Sequence, residues 1–319
     1  MSRWAPAASD ARPSFAPTNR PHWRVLGLLR DGSCSPRDLP RAGLSDTLED
    51  MIGRPIASGV IAFREMHARV LVRMGVGPDT LTWAGAISTT AVAVCLAFGT
   101  RSRFAWSLTP GAPANAYLLL AGVAMYMACA SDMLDGAVAR LGGKASRFGA
   151  FLDSTLDRYS DFAVYAGIAA SYAWQSPANI TFVLLCMVAT FNCFMISYAK
   201  ARAEDFIDSC GVGFWQRGER SAAILIATFA HNIPALVVQQ AALPMFTVLR
   251  RIAHTRALLQ GRKDHSDPDN YSTMQKLCFW RRQRMTLWYD ITVALNIAWL
   301  ILARIEPTDW IRILIESPR

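Results

Sequence analysis

Long uncharged segments alternate with short charged segments along most of the chain. The segments without Asp, Glu, Lys or Arg are 81–99, 114–131, 162–174, 180–198, 221–249 and 291–303. A helix needs about 20 apolar residues to cross a bilayer core, and the third segment reaches that length if its helix begins near Phe148. The 29 residues of 221–249 contain His231-Asn232-Ile233-Pro234, which predicts two shorter helices and a turn. The pattern therefore predicts an all-α integral membrane fold with six spans up to about residue 252 and an extra C-terminal helix from about Leu287.

A different periodicity precedes the first span. Between residues 54 and 74, apolar side chains recur at spacings of three and four, with arginines between them. The apolar positions are Ile56, Val60, Phe63, Met66, Val70 and Met74. This pattern predicts a basic amphipathic helix. Such a helix can lie on the membrane surface or pack against its own protein, and the two interpretations are compatible.

Composition narrows the class of protein. Apolar residues make up 52% of the chain and charged residues 18%, whereas soluble domains carry about 25% charged residues. This hydrophobicity excludes whole-chain disorder. The seven cysteines contain no C-x-x-C pair, which argues against a disulfide scaffold and favours reduced, structural cysteines.

Four regions follow from these patterns. Residues 1–50 hold six of the 16 prolines and predict a flexible tail, with an organelle transit peptide as the alternative. Residues 51–256 form the predicted membrane domain, 257–285 a basic insert, and 286–319 the extra transmembrane helix with a short tail.

The net charge of +9 is unevenly distributed. Basic residues follow the second predicted span (Arg140, Lys144, Arg147) and the fourth (Lys200, Arg202, Arg217, Arg220), and nine more lie in 250–284. The positive-inside rule places these loops in the cytoplasm, which in a prokaryote means the inner face of the plasma membrane. Anionic lipid head groups account for the basic insert, so we expect no nucleic-acid partner.

Aspartates gather where the second and third spans meet. Asp132 and Asp135 lie three residues apart, and Asp153, Asp157 and Asp161 lie four apart, so each set occupies one helix face. Carboxylates at a membrane edge require positive partners. Oxygen ligands of this kind suit Mg²⁺ or Mn²⁺. The alternative is ion pairing with nearby basic residues, namely Arg140, Lys144, Arg147 and Arg158.

The same segment resembles the signature of the CDP-alcohol phosphotransferase family of integral-membrane enzymes. The family pattern is D-x-x-D-G-x-x-A-R, about eight residues, then G-x-x-x-D-x-x-x-D. It is complete here in Asp132, Asp135, Gly136, Ala139, Arg140, Gly149, Asp153 and Asp157. The resemblance covers roughly residues 54–256 and implies the family's core of six transmembrane helices with an amphipathic juxtamembrane helix.

The resemblance implies transfer of a phosphatidyl group from a CDP-linked lipid, CDP-diacylglycerol, to an alcohol, with release of CMP. Asp132, Asp135, Asp153 and Asp157 would hold two Mg²⁺ or Mn²⁺ ions, and Asp157 would be the catalytic base. The residues implied to bind the CDP-lipid are Asp79, Thr82, Gly136, Arg140 and Ser146. Asp79 stands where the family usually has an asparagine. Family members are often dimers, so a homodimer is expected.

The segment Ser197 to Glu204 (S-Y-A-K-A-R-A-E) and the pair Glu219-Arg220 resemble the branch that makes phosphatidylinositol phosphate. This resemblance implies inositol 1-phosphate as acceptor, with its phosphate bound by Lys200, Arg202, Arg217 and Arg220. Glycerol 3-phosphate is the alternative acceptor, and ordinary positive-inside flanking is the alternative role of these basic residues. Two further alternatives are a transporter, although the acids cluster at one membrane edge, and a membrane scaffold, which leaves the acid cluster unexplained.

Overall fold

The computed structural model of the protein describes residues 54–99, 115–261 and 287–316. Within these ranges every regular element is helical. The helices are α1 (Arg54–Arg73), α2 (Pro78–Gly99), α3 (Ala116–Leu141), α4 (Arg147–Ala173), α5 (Ile180–Ala203), α6 (Arg217–Phe229), α7 (Ile233–Ala242), α8 (Pro244–Leu259), α9 (Leu287–Leu302) and α10 (Trp310–Glu316). The predicted tail 1–50 and most of the predicted insert 257–285 lie outside the described residues.

Side-chain caps fix where several of these helices begin. The side chain of Asn115 accepts hydrogen bonds from the backbone amides of the first turn of α3. Ser146 accepts a bond from Gly149 N at the start of α4, and Asn179 accepts one from Phe182 N at the start of α5. Such caps satisfy amides that have no partner within the helix. They therefore fix the residues at which α3, α4 and α5 begin.

In the described part of the chain, four helical segments are long and apolar enough to cross a membrane. They are α2, α3, α5 and the continuous segment Ile233–Leu259, which contains α7 and α8. Helix α4 has 27 residues but carries charged residues in its first half. Helices α6 and α9 have 13 and 16 residues, which is short for a bilayer core. The multi-pass interpretation agrees with these lengths, whereas the count of six spans is not established by them.

The predicted interruption of 221–249 is confirmed. Helix α6 ends at Phe229 and α7 begins at Ile233. Between them His231 adopts a φ of +55°, in the left-handed region that few residues other than glycine enter. Pro234, in the first turn of α7, has no amide hydrogen to lose there. The chain therefore turns at this point instead of continuing one long helix.

Small residues let the helices approach closely. A Cβ atom on Gly167 of α4 would collide with the backbone of Ala93 on α2, and one on Gly122 of α3 would lie 2.8 Å from the ring of Phe229. Close backbone packing at small residues is typical of membrane helices. The buried core between these helices includes Leu96, Leu118, Ile168, Leu236 and Leu300. Helices α5, α6 and α8 add buried residues to the same cluster, so the bundle core joins α2 to α9.

The predicted amphipathic helix is present as α1, and both of its proposed roles find support. One face packs on α3, where Ala68 is buried with Ala137 and Val138. Another face leaves Phe63, Met66, Val70 and Met74 exposed. An apolar row that remains uncovered beside a membrane bundle suits contact with lipid. Helix α1 thus both packs on the bundle and offers an apolar face.

Candidate active site and metal centre

The carboxylates of the predicted metal centre come together at the junction of α3 and α4. Asp132, Asp135 and Asp153 each offer a carboxylate oxygen, and these oxygens lie within 4.8 Å of one another. The short turn between the helices brings the two sets together, and Gly143 takes a φ of +63° there. Three like charges at this separation repel one another unless a cation lies among them. The cluster is therefore a suitable place for a divalent ion.

Asp157, the fourth predicted ligand, is held by arginines. Arg217, the first residue of α6, contacts Asp132 with one guanidinium nitrogen, and its other terminal nitrogen lies 2.6 Å from Asp157 Oδ1. Arg158 Nη2 lies 3.5 Å from Asp157 Oδ2. Ion pairing, the alternative to a metal site, is thus partly realised, although its principal cation is Arg217. Among the described residues, no ion pair joins Arg140, Lys144 or Arg147 to these carboxylates.

Side chains from α2, α3, α4 and α6 enclose a cavity of about 310 Å³ beside the carboxylates. Its polar lining includes Thr82, Asp132, Asp135, Asp153, Asp157 and Arg217. Its apolar lining includes Leu81, Met125, Val164, Ile224 and Leu225. A cavity that combines acids, one arginine and an apolar wall can take an amphipathic, phosphate-bearing ligand together with cations.

The residues implied to bind the CDP-lipid lie around the same junction. Thr82 Oγ1 donates to Asp135 Oδ2 at 3.2 Å. Asp79 Oδ1 lies 3.8 Å from where a Cβ on Gly149 would stand, and Ser146 Oγ lies 3.1 Å from the same point. Asp79, Thr82 and Ser146 therefore meet the carboxylate helices, although Ser146 already accepts a hydrogen bond as the cap of α4.

Gly136 and Arg140 lie one turn apart near the end of α3. If Gly136 carried a Cβ, the nearest atom outside the helix backbone would be Arg140 Nη1, at 3.4 Å. The position therefore has room beside the helix. An arginine next to such a gap is well placed for bidentate contact with a phosphate group.

The four residues implied to bind the acceptor phosphate are dispersed. Arg217 lines the cavity. Arg220 is 1% exposed, with Nη2 at 2.9 Å from Asp161 Oδ2. Lys200 Nζ lies 3.9 Å from Glu204 Oε1, and Arg202 Nη1 lies 2.8 Å from Asp205 Oδ2. Of these four residues, only Arg217 contacts a predicted metal ligand, and the other three do not line the cavity.

The pairing of α4 with α6 is the feature that sequence reasoning missed. Asp157 and Asp161 lie four residues apart on α4, and Arg217 and Arg220 lie three apart on α6, so the two helices present matching faces. The result is two consecutive ion pairs, Asp157 with Arg217 and Asp161 with Arg220. In the sequence, the similar spacing of the two aspartates and the two arginines was the signal that could have indicated this pairing.

Comparison with known proteins adds to this geometry. The family model described as CDP-alcohol phosphatidyltransferase matches residues 75–258. A phosphatidylinositol phosphate synthase of Mycobacteroides abscessus is 37% identical over 160 residues, which are 50% of this chain and 64% of that protein. An archaetidylinositol phosphate synthase of Pyrococcus horikoshii is 35% identical over 145 residues, 44% of this chain and 72% of that protein.

A solved structure is also similar. It is the crystal structure of Mycobacterium tuberculosis phosphatidylinositol phosphate synthase with CDP-DAG bound. The TM-score is 0.50 at 29% sequence identity, and the match covers 60% of this chain and 92% of that chain. The similarity therefore includes a shared fold over 60% of this chain, while the family model leaves residues 1–74 and 259–319 unmatched.

Proposed function

The chain belongs to the CDP-alcohol phosphatidyltransferase family, and from this premise we propose that it transfers a phosphatidyl group from CDP-diacylglycerol to inositol 1-phosphate and releases CMP. The observation that carries the proposal is the meeting of Asp132, Asp135 and Asp153 within 4.8 Å beside a cavity with an apolar wall. Such a site suits a substrate that is both a diphosphate and a lipid.

The donor set fits divalent metal ions. Carboxylate oxygens are the ligands that Mg²⁺ and Mn²⁺ prefer, and four aspartates with two arginines, Arg158 and Arg217, leave an excess of negative charge for cations to neutralise. We propose that Asp132, Asp135, Asp153 and Asp157 hold two such ions. When bound, these ions would neutralise the diphosphate and stabilise the charge that develops on the departing CMP.

Asp157 is the proposed base. The acceptor hydroxyl oxygen forms a bond to the phosphorus that carries the diacylglycerol, the bond from that phosphorus to the CMP oxygen breaks, and the hydroxyl proton passes to a carboxylate oxygen of Asp157. Asp157 is only 8% exposed, so bulk water has little access to this group. Its contact with Arg217 must loosen before the carboxylate can take the proton, and an arriving phosphate would compete for that guanidinium.

Two observations favour inositol 1-phosphate as the acceptor. The bacterial and archaeal relatives are both named as synthases of an inositol phosphate lipid, and Arg217 supplies a guanidinium in the cavity. We propose Arg217 as the main contact of the acceptor phosphate. Lys200, Arg202 and Arg220 remain predicted contributors, and the present contacts of Arg220 favour a structural role for it.

The proposed orientation follows from charge. The carboxylate cluster lies at the C-terminal end of α3, next to the basic residues that follow it. The positive-inside rule then places the site at the cytoplasmic face of the membrane.

The test is release of CMP by purified protein from CDP-diacylglycerol with Mg²⁺ or Mn²⁺ and a panel of acceptors: inositol 1-phosphate, glycerol 3-phosphate and free inositol. We expect release with inositol 1-phosphate and its loss in Asp157→Asn. Asp208→Asn, which alters an exposed carboxylate in the loop before α6, is the matched control and should retain activity. Release with glycerol 3-phosphate alone would overturn the acceptor, and background release with every acceptor would overturn the enzyme.

A further inference from the structure

Helix α9 lies outside the matched family region, which ends at residue 258, yet it is fastened to both ends of α6. At one end, Tyr289 Oη donates to Glu219 Oε1 at 2.8 Å, in the first turn of α6. At the other end, the side-chain amide of Asn232 donates to the carbonyl oxygens of Leu300 and Ala303, at 2.9 and 2.7 Å. Asn232 lies in the turn that follows α6.

The spacing of these contacts shows that the two helices run side by side in the same direction. Glu219 lies in the first turn of α6 and Asn232 lies just beyond its end, while Tyr289 and Leu300 are 11 residues apart on α9. At a rise of about 1.5 Å per residue, the 13 residues of α6 are roughly 20 Å long and the two contacts on α9 are roughly 17 Å apart. Helix α9 therefore lies alongside nearly the whole length of α6.

The first turn of α6 begins differently from those of α3, α4 and α5. Gln216, at the N-cap position of α6, makes no side-chain capping bond, so a side-chain cap of the usual kind does not fix the start of this helix. Yet Arg217, the first residue of this turn, is the one that contacts Asp132 and Asp157. The position of the cavity's arginine thus depends on how firmly the start of α6 is held.

Tyr289 acts on both sides of this helix start. Its hydroxyl bonds Glu219 inside α6, and its ring lies 5.4 Å from the ring of Phe214 in the segment that leads into the helix. Phe214 is 8% exposed, so its ring is itself anchored in the core. The Trp215 amide adds a separate anchor through its hydrogen bond to Thr247 Oγ1 at 3.1 Å. Tyr289 therefore links a helix outside the matched region to the turn that presents Arg217.

We propose that α9 is an intramolecular brace and that Tyr289 is a positioning residue, which holds the first turn of α6 so that Arg217 reaches the carboxylate cavity. This inference rests on the proposed function, since it assigns Arg217 to the acceptor phosphate. Loss of the Tyr289 hydroxyl then weakens acceptor binding and leaves the CDP-lipid end of the site intact.

The experiment compares Tyr289→Phe with Asn296→Ala in the full chain. Tyr289→Phe removes the hydroxyl and keeps the ring on Phe214. Asn296→Ala removes a hydrogen bond that Gln239 of α7 donates to Asn296 Oδ1 at 2.9 Å, two turns along α9 from Tyr289. Both variants remove a polar contact between α9 and another helix, but only the first removes the contact to α6.

Two measurements are made on each variant. Hydrogen exchange of the amides of residues 217–220 should increase in Tyr289→Phe and stay at the wild-type rate in Asn296→Ala. The KM for inositol 1-phosphate should rise roughly tenfold in Tyr289→Phe, the change expected from one hydrogen bond to a charged group, while the KM for CDP-diacylglycerol stays within twofold. Glu219→Gln keeps an acceptor for the Tyr289 hydroxyl and should preserve most of the wild-type behaviour.

The outcomes separate the brace from the proposed function. Unchanged exchange at 217–220 in Tyr289→Phe refutes the brace whatever the activity. Increased exchange with an unchanged KM for the acceptor refutes the positioning role, because α9 then supports the fold alone. A wild-type protein that releases no CMP refutes the proposed function, and with it the assignment of Arg217 to an acceptor.

Discussion

Replacement of Arg220 by Met tests whether this residue is structural. Arg220 Nη2 lies 2.9 Å from Asp161 Oδ2, and the two side chains are 1% and 8% exposed. Arg220→Met leaves the Asp161 carboxylate buried without its cation. Removal of one partner from a buried ion pair costs about 3–5 kcal/mol in the free energy of unfolding. The double variant Asp161→Asn/Arg220→Met leaves a neutral amide, whose unsatisfied burial costs about 1–3 kcal/mol, so it should be more stable than the single variant.

The assay is thermal unfolding in detergent, followed by the reaction of a thiol-specific fluorophore with the buried thiols of Cys186 and Cys193. For a protein of this size, 1 kcal/mol corresponds to about 2–4 °C in Tm. Arg220→Met should therefore lower Tm by roughly 6–20 °C, and the double variant should recover part of that loss. A single variant with the wild-type Tm but a KM for inositol 1-phosphate raised more than tenfold, and no recovery in the double variant, would refute this reasoning and return Arg220 to the acceptor site.

Three further changes test the packing, the metal centre and the C-terminal contact. Gly167→Ala should destabilise the protein by about 1–3 kcal/mol, read as a lower Tm, because the added Cβ collides with α2 backbone that cannot move cheaply. Thr82→Val removes the hydrogen bond to Asp135 and should raise the Mn²⁺ concentration needed for half-maximal CMP release about tenfold. Asp309 accepts hydrogen bonds from Thr181 Oγ1 and from the amides of Ile180 and Thr181 at the start of α5. Desolvation raises the pKa of Asp309, but these hydrogen bonds outweigh it and lower the pKa from 3.8. The contact of the ionised Asp309 therefore stabilises the protein above pH 3.8, and this stabilisation is lost as the pH falls through the lowered pKa. Asp309→Asn at pH 7 should speed hydrogen exchange of the amides at the start of α5.

Each of these changes has a matched control. Gly211→Ala adds a Cβ where no atom lies within 4 Å, so a Tm loss equal to that of Gly167→Ala would contradict the packing argument. Thr90→Val alters an exposed α2 hydroxyl that donates to a backbone carbonyl of its own helix. An equal rise in the Mn²⁺ concentration needed for half-maximal CMP release would show that the Thr82 hydroxyl has no specific effect on the metal centre. Asp208→Asn should leave exchange at the start of α5 unchanged, and acceleration there would make the Asp309 effect non-specific.

The carboxylate centre was predictable because its geometry is local. Spacings of three and four residues place Asp132 and Asp135, and then Asp153 and Asp157, on single helix faces. One short turn between α3 and α4 suffices to bring these faces together. The resulting cluster of three confirms the predicted meeting of the two helices, while the ligand roles of the four aspartates stay predictions.

The cations were harder to place because their partners lie far away in the sequence. Arg217 contacts Asp132, which is 85 residues away. Arg251 looks like an ordinary cytoplasmic flank, yet it is 3% exposed and donates to the carbonyl oxygens of Ile196 and Val212. The positive-inside rule gives the side of the membrane for such residues, but it cannot separate a solvated arginine from one that the bundle buries.

The helix pattern was predicted more reliably than the number of spans. The break at His231 to Pro234 has a strong local signal in a proline near a helix start. By contrast, α4 mixes apolar residues with the charged site, and α6 and α9 are short, so hydropathy and length alone do not fix whether these helices cross the bilayer. Their positions depend on packing against neighbouring helices, and a linear pattern contains little information about such packing.

The most direct test of the central claim follows the phosphate of the acceptor. Purified protein receives CDP-diacylglycerol, Mn²⁺ and inositol 1-phosphate labelled with ³²P, and the products are partitioned between organic solvent and water. The account predicts that the label enters the lipid phase in step with CMP release, and that this transfer requires the metal ion and is lost in Asp157→Asn. Label that stays in the aqueous phase while CMP appears would contradict it, because the enzyme would then hydrolyse the CDP-lipid without transferring its phosphatidyl group to the inositol phosphate.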